Sequence, residues 1–127
     1  MNAAHAALKR LLANGPLTGM PTRRDDLELL LQLAAARFES GETYSEKSVN
    51  ELLRGWLGTF SEPYGIDHVS LRRELVDARL LVRDTSGSEY RLNPRRLRRD
   101  VPEATPSDIL AEIREERSAR KRKQGLN

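Results

Sequence analysis

The chain has 127 residues, a formal net charge of +3 and no cysteine. This length suits one small domain with appendages, and the lack of cysteine excludes disulfides, thiol nucleophiles and cysteine-based zinc sites. The apolar runs are too short to cross a membrane, and the N-terminus lacks the apolar segment of a signal peptide, so the composition predicts a cytoplasmic protein.

The positive charge is concentrated in the last third of the chain. Residues 1–92 hold 12 Lys and Arg against 13 Asp and Glu, a net charge of −1, whereas residues 93–127 hold 10 against 6, a net charge of +4. A basic surface favours nucleic acid as a partner. Bulk charge therefore supports nucleic-acid binding only for the tail.

Residues 1–24 are predicted to form a helix followed by a linker. Helix formers fill 3–13, where Leu8, Leu11 and Leu12 make a short apolar stripe. The run Asn14-Gly15-Pro16 then ends the helix, because glycine suits a helix C-terminus and proline cannot continue one.

Residues 25–93 are predicted to form a domain of three helices and a hairpin. The first helix runs from Asp25 to about Glu39, and the second from Glu46 to about Leu57 with Ser45 as its cap. Trp56 falls on the apolar face of the second helix, which favours a core position over a recognition role.

The segment 67–84 completes this order of elements. Asp67 caps a helix to about Arg79, and two short strands, 80–84 and 89–92, flank a glycine-containing turn. A very short extended segment is also predicted at Thr43-Tyr44. This order predicts an α+β, mostly helical fold: a winged helix-turn-helix with a sheet of two or three strands, with extra N- and C-terminal helices.

Residues 94–127 are predicted to form a basic linker and a helical tail. An arginine cluster at 95–99 precedes a proline-containing linker over 100–106, and Ser107-Asp108 is predicted to cap a last helix from Ile109 to about Lys123. That helix has apolar residues only near its start, so it packs there and is polar all round further on. It ends in four consecutive positive charges.

A winged helix that binds DNA places its third helix, here the one that Asp67 caps, in the major groove. Arginines on the wing and tail would then neutralise phosphates. The predicted DNA-binding residues on the helix, the wing and the tail are His68, Ser70, Arg72, Arg73, Arg83, Arg91, Arg95, Arg96, Arg98 and Arg99. An alternative for Arg72 and Arg73 is that they hold the helix against its neighbours or pair with Glu74 and Asp77.

Two sequence blocks resemble those of a bacterial family of uncharacterised proteins, the DUF2087 family. The first block is 44–53, Tyr-Ser-Glu-Lys-Ser-Val-Asn-Glu-Leu-Leu, and the second is 67–77, Asp-His-Val-Ser-Leu-Arg-Arg-Glu-Leu-Val-Asp. The hairpin residues 81–83 and 90–92 extend the resemblance, while the connection 58–66 is longer than the family's usual link. The resemblance implies a winged-helix-like fold and a role in transcription regulation, and it brings no ligand, catalytic residue or DNA target.

Catalysis is not expected from this sequence. Its two histidines lie in separate elements, and no nucleotide-binding loop or zinc-protease motif is present. No cofactor and no metal are predicted. Two hypotheses remain: a transcription regulator that binds duplex DNA, and a non-catalytic winged-helix module for protein interaction or dimerisation through its terminal helices.

Overall fold

The structure, a computed structural model, describes residues 3–99 and 105–125, which form five α-helices and three strands. The helices are α1 (Ala3–Leu11), α2 (Arg24–Ala35), α3 (Glu46–Leu57), α4 (His68–Asp77) and α5 (Pro106–Gly125). The strands are β1 (Thr43–Ser45), β2 (Leu81–Arg83) and β3 (Glu89–Leu92), and a 3-10 turn covers Pro94–Arg96. The predicted α+β, mostly helical class is confirmed. Most of the predicted proline-containing linker, residues 100–104, lies outside the described part.

The three strands form one antiparallel sheet in the order β1-β3-β2. The predicted extended segment at Thr43-Tyr44 is confirmed as β1, in which Tyr44 pairs with Tyr90 of β3. The Tyr44 ring packs edge-on against Phe38, with 5.0 Å between centroids, and so joins the sheet to the end of α2. From α2 to β3 the elements follow in the order predicted for a winged helix-turn-helix: helix, strand, helix, helix, hairpin.

The core lies where the inner faces of α2, α3 and α4 meet the sheet. Val49 and Leu53 of α3 and Leu71 and Leu75 of α4 are all fully buried. Trp56 is buried as predicted, and its ring meets Phe60 edge-on at 4.6 Å between centroids. Helical spacing of these apolar residues brings them to one face, and burying that face stabilises the helices far more than their intrinsic propensities do.

The two terminal helices pack on one another and extend the same core. Leu8 and Leu12, in and just after α1, and Ile109 of α5 are fully buried in the cluster that contains the α3 and α4 side chains. The division predicted from the sequence into residues 1–24, 25–93 and 94–127 thus separates segments that share one core.

The start of α5 differs from the prediction. Ser107-Asp108 was expected to cap the helix, but the helix begins at Pro106, and the Thr105 hydroxyl accepts from the Asp108 N–H at 3.3 Å. The Asp108 carboxylate in turn accepts from the Thr105 N–H at 3.1 Å. This reciprocal capping box, with proline in the first helical position, favours the earlier start.

Gln32 fastens the beginning of the tail to α2. Its side chain is buried, its Nε2 donates to the Arg96 carbonyl at 2.9 Å, and its Oε1 accepts from the Arg98 N–H at 2.8 Å. A buried amide is costly unless its polar atoms are paired, and here both ends are. The arginine cluster therefore leaves the domain from a defined position beside α2.

The connection from α4 to β2 is a tight turn with arginine at a position usually held by glycine. The Leu80 N–H donates to the Leu75 carbonyl at 2.9 Å, and the Arg79 N–H to the Val76 carbonyl at 3.0 Å. This is the Schellman pattern, and Arg79 takes the left-handed conformation it requires, at φ +63°. The prediction of a helix to about Arg79 was too long, because α4 stops at Asp77.

Within the described residues, none of the helices combines the length and the apolar character needed to cross a membrane.

Replacing Arg79 by glycine is expected to stabilise the protein by roughly 0.5 kcal/mol. Relief of the left-handed strain, about 1–2 kcal/mol, exceeds the roughly 0.4–1 kcal/mol that a more flexible unfolded chain costs. Urea unfolding of Arg79→Gly and Arg79→Ala measures this, since alanine keeps the strained Cβ. Equal or lower stability of the glycine variant would contradict this account of the turn.

Candidate nucleic-acid interface

The solvent-facing side of α4 carries the polar residues of the predicted recognition helix. Leu71 and Leu75 point into the core, and Ser70, Arg73 and Asp77 are exposed on the opposite side. Residues three and four apart share a helix face, so these three form one continuous strip.

Arg73 is the central cation of this strip. It is exposed and makes no hydrogen bond or ion pair with the described part of the chain. The pairing with Asp77 that the sequence left open does not form. The guanidinium of Arg73 is therefore available to a partner.

Arg72 points instead towards α3. Its side chain is only 13% exposed, its Nη1 donates to Asn50 Oδ1 at 2.5 Å, and its Nη2 lies 3.2 Å from Glu46 Oε1. The same Glu46 oxygen accepts from the hydroxyl of the buried Tyr90 at 3.4 Å. Because successive residues on a helix point about 100° apart, the paired arginines divide their roles. Arg72 joins α4 to α3, and only Arg73 faces outward.

His68 and Ser70 lie in the first turn of α4, beside its cap. The Asp67 carboxylate accepts from the Val69 N–H at 3.2 Å, from the Ser70 N–H at 3.3 Å and from the Ser70 hydroxyl at 3.0 Å. The His68 ring is half-buried and directs Nε2 towards Arg54 Nη2, 3.5 Å away. Ser70 therefore supports the cap, and His68 faces the end of α3.

The wing does not collect positive charge on one face. Arg91 pairs with Val82 on the outer face of the sheet, whereas Arg83 pairs with Tyr90 and lies against Gly87 at the tip. Asp84 orders the tip by accepting from the Ser88 N–H at 2.9 Å and from the Glu89 N–H at 3.2 Å. The two arginines of the wing are thus balanced by Asp84 and Glu89.

The tail supplies the concentrated positive charge. Arg95, Arg96, Arg98 and Arg99 are all exposed where the chain leaves the sheet. Two acids of α5 pair with Lys9 of α1, Glu112 at 3.4 Å and Glu116 at 2.6 Å. The acids of α5 are therefore partly neutralised by α1. Beyond Glu116, residues 117–125 contain five Lys and Arg and no acid.

Glu46, Asn50 and Arg54 were missed by the sequence-based site prediction. Glu46 and Asn50 stand in the first block of the family resemblance, which was the available signal, but spacing within one helix does not show what a second helix brings to it. Within the described residues no cluster of three or more His, Asp or Glu side chains could hold a metal ion.

Adjacent variants should separate the roles of the paired arginines. We expect Arg72→Ala to destabilise the fold by about 1–2 kcal/mol, because it removes a charged hydrogen bond and leaves Asn50 unpaired. Arg73→Ala should change stability by less than about 0.5 kcal/mol, as is usual for an exposed side chain. Chemical denaturation of both variants measures this, and equal losses would contradict the assigned orientations.

The cap of α4 should make stability depend on pH in the acid range. The Ser70 hydroxyl is the main cause of the lowered pKa of Asp67, and the Val69 N–H adds to it. A carboxyl with a lowered folded pKa stabilises the fold above its ordinary value of 3.8, and this contribution is lost as pH falls through the folded pKa.

Asp67→Ala should therefore cost about 1 kcal/mol at neutral pH, the usual value of a cap, and less below about pH 4. Asp67→Asn is the matched control, because asparagine also caps well and does not titrate. Thermal unfolding across this pH range tests the prediction. A constant difference between alanine variant and wild type would show that the ionised carboxylate is not the cause.

Comparison with known proteins identifies the family of this chain. The family model described as an uncharacterized protein conserved in bacteria, DUF2087, matches residues 16–92, from the linker through β3. A search of curated proteins and a search of solved structures found no match, so the winged-helix assignment rests on the topology of this chain. The matched range covers more than half of the chain and includes both sequence blocks, and the chain belongs to the DUF2087 family.

Proposed function

We propose that this protein is a non-catalytic transcription regulator that binds duplex DNA through a winged helix-turn-helix. In this proposal α4 lies in the major groove, and the cations of the tail contact phosphates. The order of the elements and the sheet order β1-β3-β2 support the winged-helix assignment.

The observation that carries the proposal is the exposed Arg73 at the centre of the outward strip of α4. An arginine there reaches guanine edges or phosphates, and the neighbouring Ser70 can hydrogen-bond to either. Arg72 and Glu46 hold the helix on the domain from its other side, so the strip is presented on a fixed element. We therefore assign sequence readout to Arg73.

The tail is proposed to supply most of the affinity. The wing is balanced in charge and residues 1–92 carry a net charge of −1, so the arginines at 95–99 and the distal part of α5 are the main positive surfaces. Such contacts are independent of sequence and strongly dependent on salt.

The same charge distribution favours one alternative. The wing has no net positive charge, and Asp77 places an acid beside Arg73 on α4. Both features would also suit a winged helix that contacts protein. In that case the terminal helices would mediate dimerisation or docking, and DNA would not be bound.

Binding of a random-sequence duplex, measured by fluorescence anisotropy between about 50 and 200 mM salt, tests the proposal. Replacing Arg120, Lys121, Arg122 and Lys123 by glutamine keeps helix-forming side chains, and it should flatten the log–log salt slope by up to about 3–4. Arg73→Ala should reduce the slope by about 1, or lower sequence preference on selected sites. Arg37→Ala, an exposed arginine after α2, is the matched control and should behave as wild type.

Two results would decide against DNA. One is that neither the tail variant nor Arg73→Ala changes affinity or salt slope. The other is that wild type binds no duplex at low salt while eluting as a dimer, which would establish the protein-interaction alternative.

A further inference from the structure

A cavity of about 360 Å³ lies between the end of α3, the connection that follows it and the first turn of α4. This volume falls within the range of small-molecule sites. It is distinct from the outward strip of α4 and from the tail. Its lining includes Arg54, Leu57, Gly58, Tyr64, Ile66 and His68.

The cavity combines an apolar floor with one cationic side chain, Arg54. Leu57 and Ile66, both almost fully buried, contribute apolar surface. Arg54 and His68 approach one another from α3 and α4, with 3.5 Å between Arg54 Nη2 and His68 Nε2. Arg54 is exposed and has no carboxylate within ion-pair distance in the described part of the chain. Glu62 contributes an acid to the lining from the connection.

The connection places Tyr64, in a strained backbone conformation, beside the cavity. The Gly65 N–H donates to the Glu62 carbonyl at 2.9 Å, with Pro63 and Tyr64 between them. Proline at the second position and a φ of +63° at the third define a type II turn, in which glycine normally occupies the place of Tyr64. The Tyr64 side chain is fully exposed, so no packing in the described structure compensates the strain.

The turn is also fixed against the N-terminal linker. The Glu62 N–H donates to the Leu17 carbonyl at 2.7 Å, and the Leu17 N–H donates to the Phe60 carbonyl at 3.0 Å. A Cβ on Gly65 would lie 3.0 Å from the carbonyl oxygens of Glu62 and Leu17, so only glycine fits there easily. The strained Tyr64 is therefore held by the surrounding backbone, and such residues concentrate at ligand sites.

We propose that this cavity binds a small organic anion, a carboxylate carried on a flat apolar body. Its carboxylate would accept from the Arg54 guanidinium, and its body would lie over Leu57 and Ile66, beside Tyr64. The guanidinium disfavours a cationic ligand, and the apolar floor favours an organic anion over a bare inorganic one. Because the site joins α3 to the first turn of α4, a bound anion would act as an effector of that helix. This inference does not depend on DNA binding.

Benzoate is a suitable probe, with benzyl alcohol as its uncharged counterpart and inorganic phosphate as an anion without an apolar body. In a heteronuclear NMR titration of the full chain, benzoate should give saturable shifts at the amides of Gly58, Gly65 and His68. Arg54→Ala should weaken benzoate binding by at least about tenfold, the expected loss for a charged hydrogen bond. Arg37→Ala should leave it unchanged.

A second variant adds bulk at Gly58, which lines the cavity. Gly58 has the helical φ of −60°, and a Cβ there meets its nearest atoms at 3.5 Å, an ordinary contact. Gly58→Leu should therefore fold and abolish benzoate binding. The proposal fails if benzoate shifts do not saturate, if benzyl alcohol or phosphate binds equally well, or if Arg54→Ala and Gly58→Leu bind benzoate as wild type does.

Discussion

The contact of Arg72 with Glu46 and Asn50 governs how the predicted recognition helix is presented. The guanidinium lies in the angle between α3 and α4, where it satisfies two side chains of α3 at once. The buried Tyr90 reaches the same Glu46 oxygen from β3, so helix, helix and sheet meet at one small polar network. Arginine suits this place because its planar group donates in several fixed directions, which lysine does not.

Because Arg72 points inward, it determines which charged side chains of α4 are left exposed to a partner. With Arg72 engaged, the outward strip of α4 offers one cation, Arg73, between Ser70 and Asp77. One exposed arginine can distinguish sequences, but it cannot hold a duplex against physiological salt by itself. A DNA-binding role therefore requires the tail, whose start is set beside α2 by Gln32. Affinity and specificity would come from different parts of the chain.

Left-handed residues stand before and after α4. Tyr64 lies in the connection before it, and Arg79 in the turn after it, and both have φ +63°. Each occupies a position where glycine would cost less, and their surroundings differ. Arg79 is held by a Schellman turn whose Leu80 is buried, while Tyr64 leaves its ring in solvent beside a cavity. The strained backbone at Arg79 lets the chain turn from α4 into β2. The strained backbone at Tyr64 is not accompanied by burial of its side chain.

Local patterns in the sequence determined most of the fold. The apolar spacing of Val49, Leu53 and Trp56 specified a buried helix face, and the side chains of Ser45 and Asp67 specified where helices begin. These features act over one or two turns of chain, which is why they can be recognised without a structure. The order of the predicted helices and strands, together with the two family blocks, then indicated the α+β class.

Only the tertiary structure decided which of these residues form a site. Helical spacing already puts Arg72 and Arg73 on different sides of α4, but only the packing of α3 against α4 shows that Glu46 and Asn50 meet Arg72. Arg54 and His68 are 14 residues apart and meet across the α3–α4 connection. Likewise, the tail and α1 share a core through Ile109 and Leu8, although no local pattern pairs them. Contacts between distant segments depend on the packing of whole helices, which the spacing of residues within one helix does not encode.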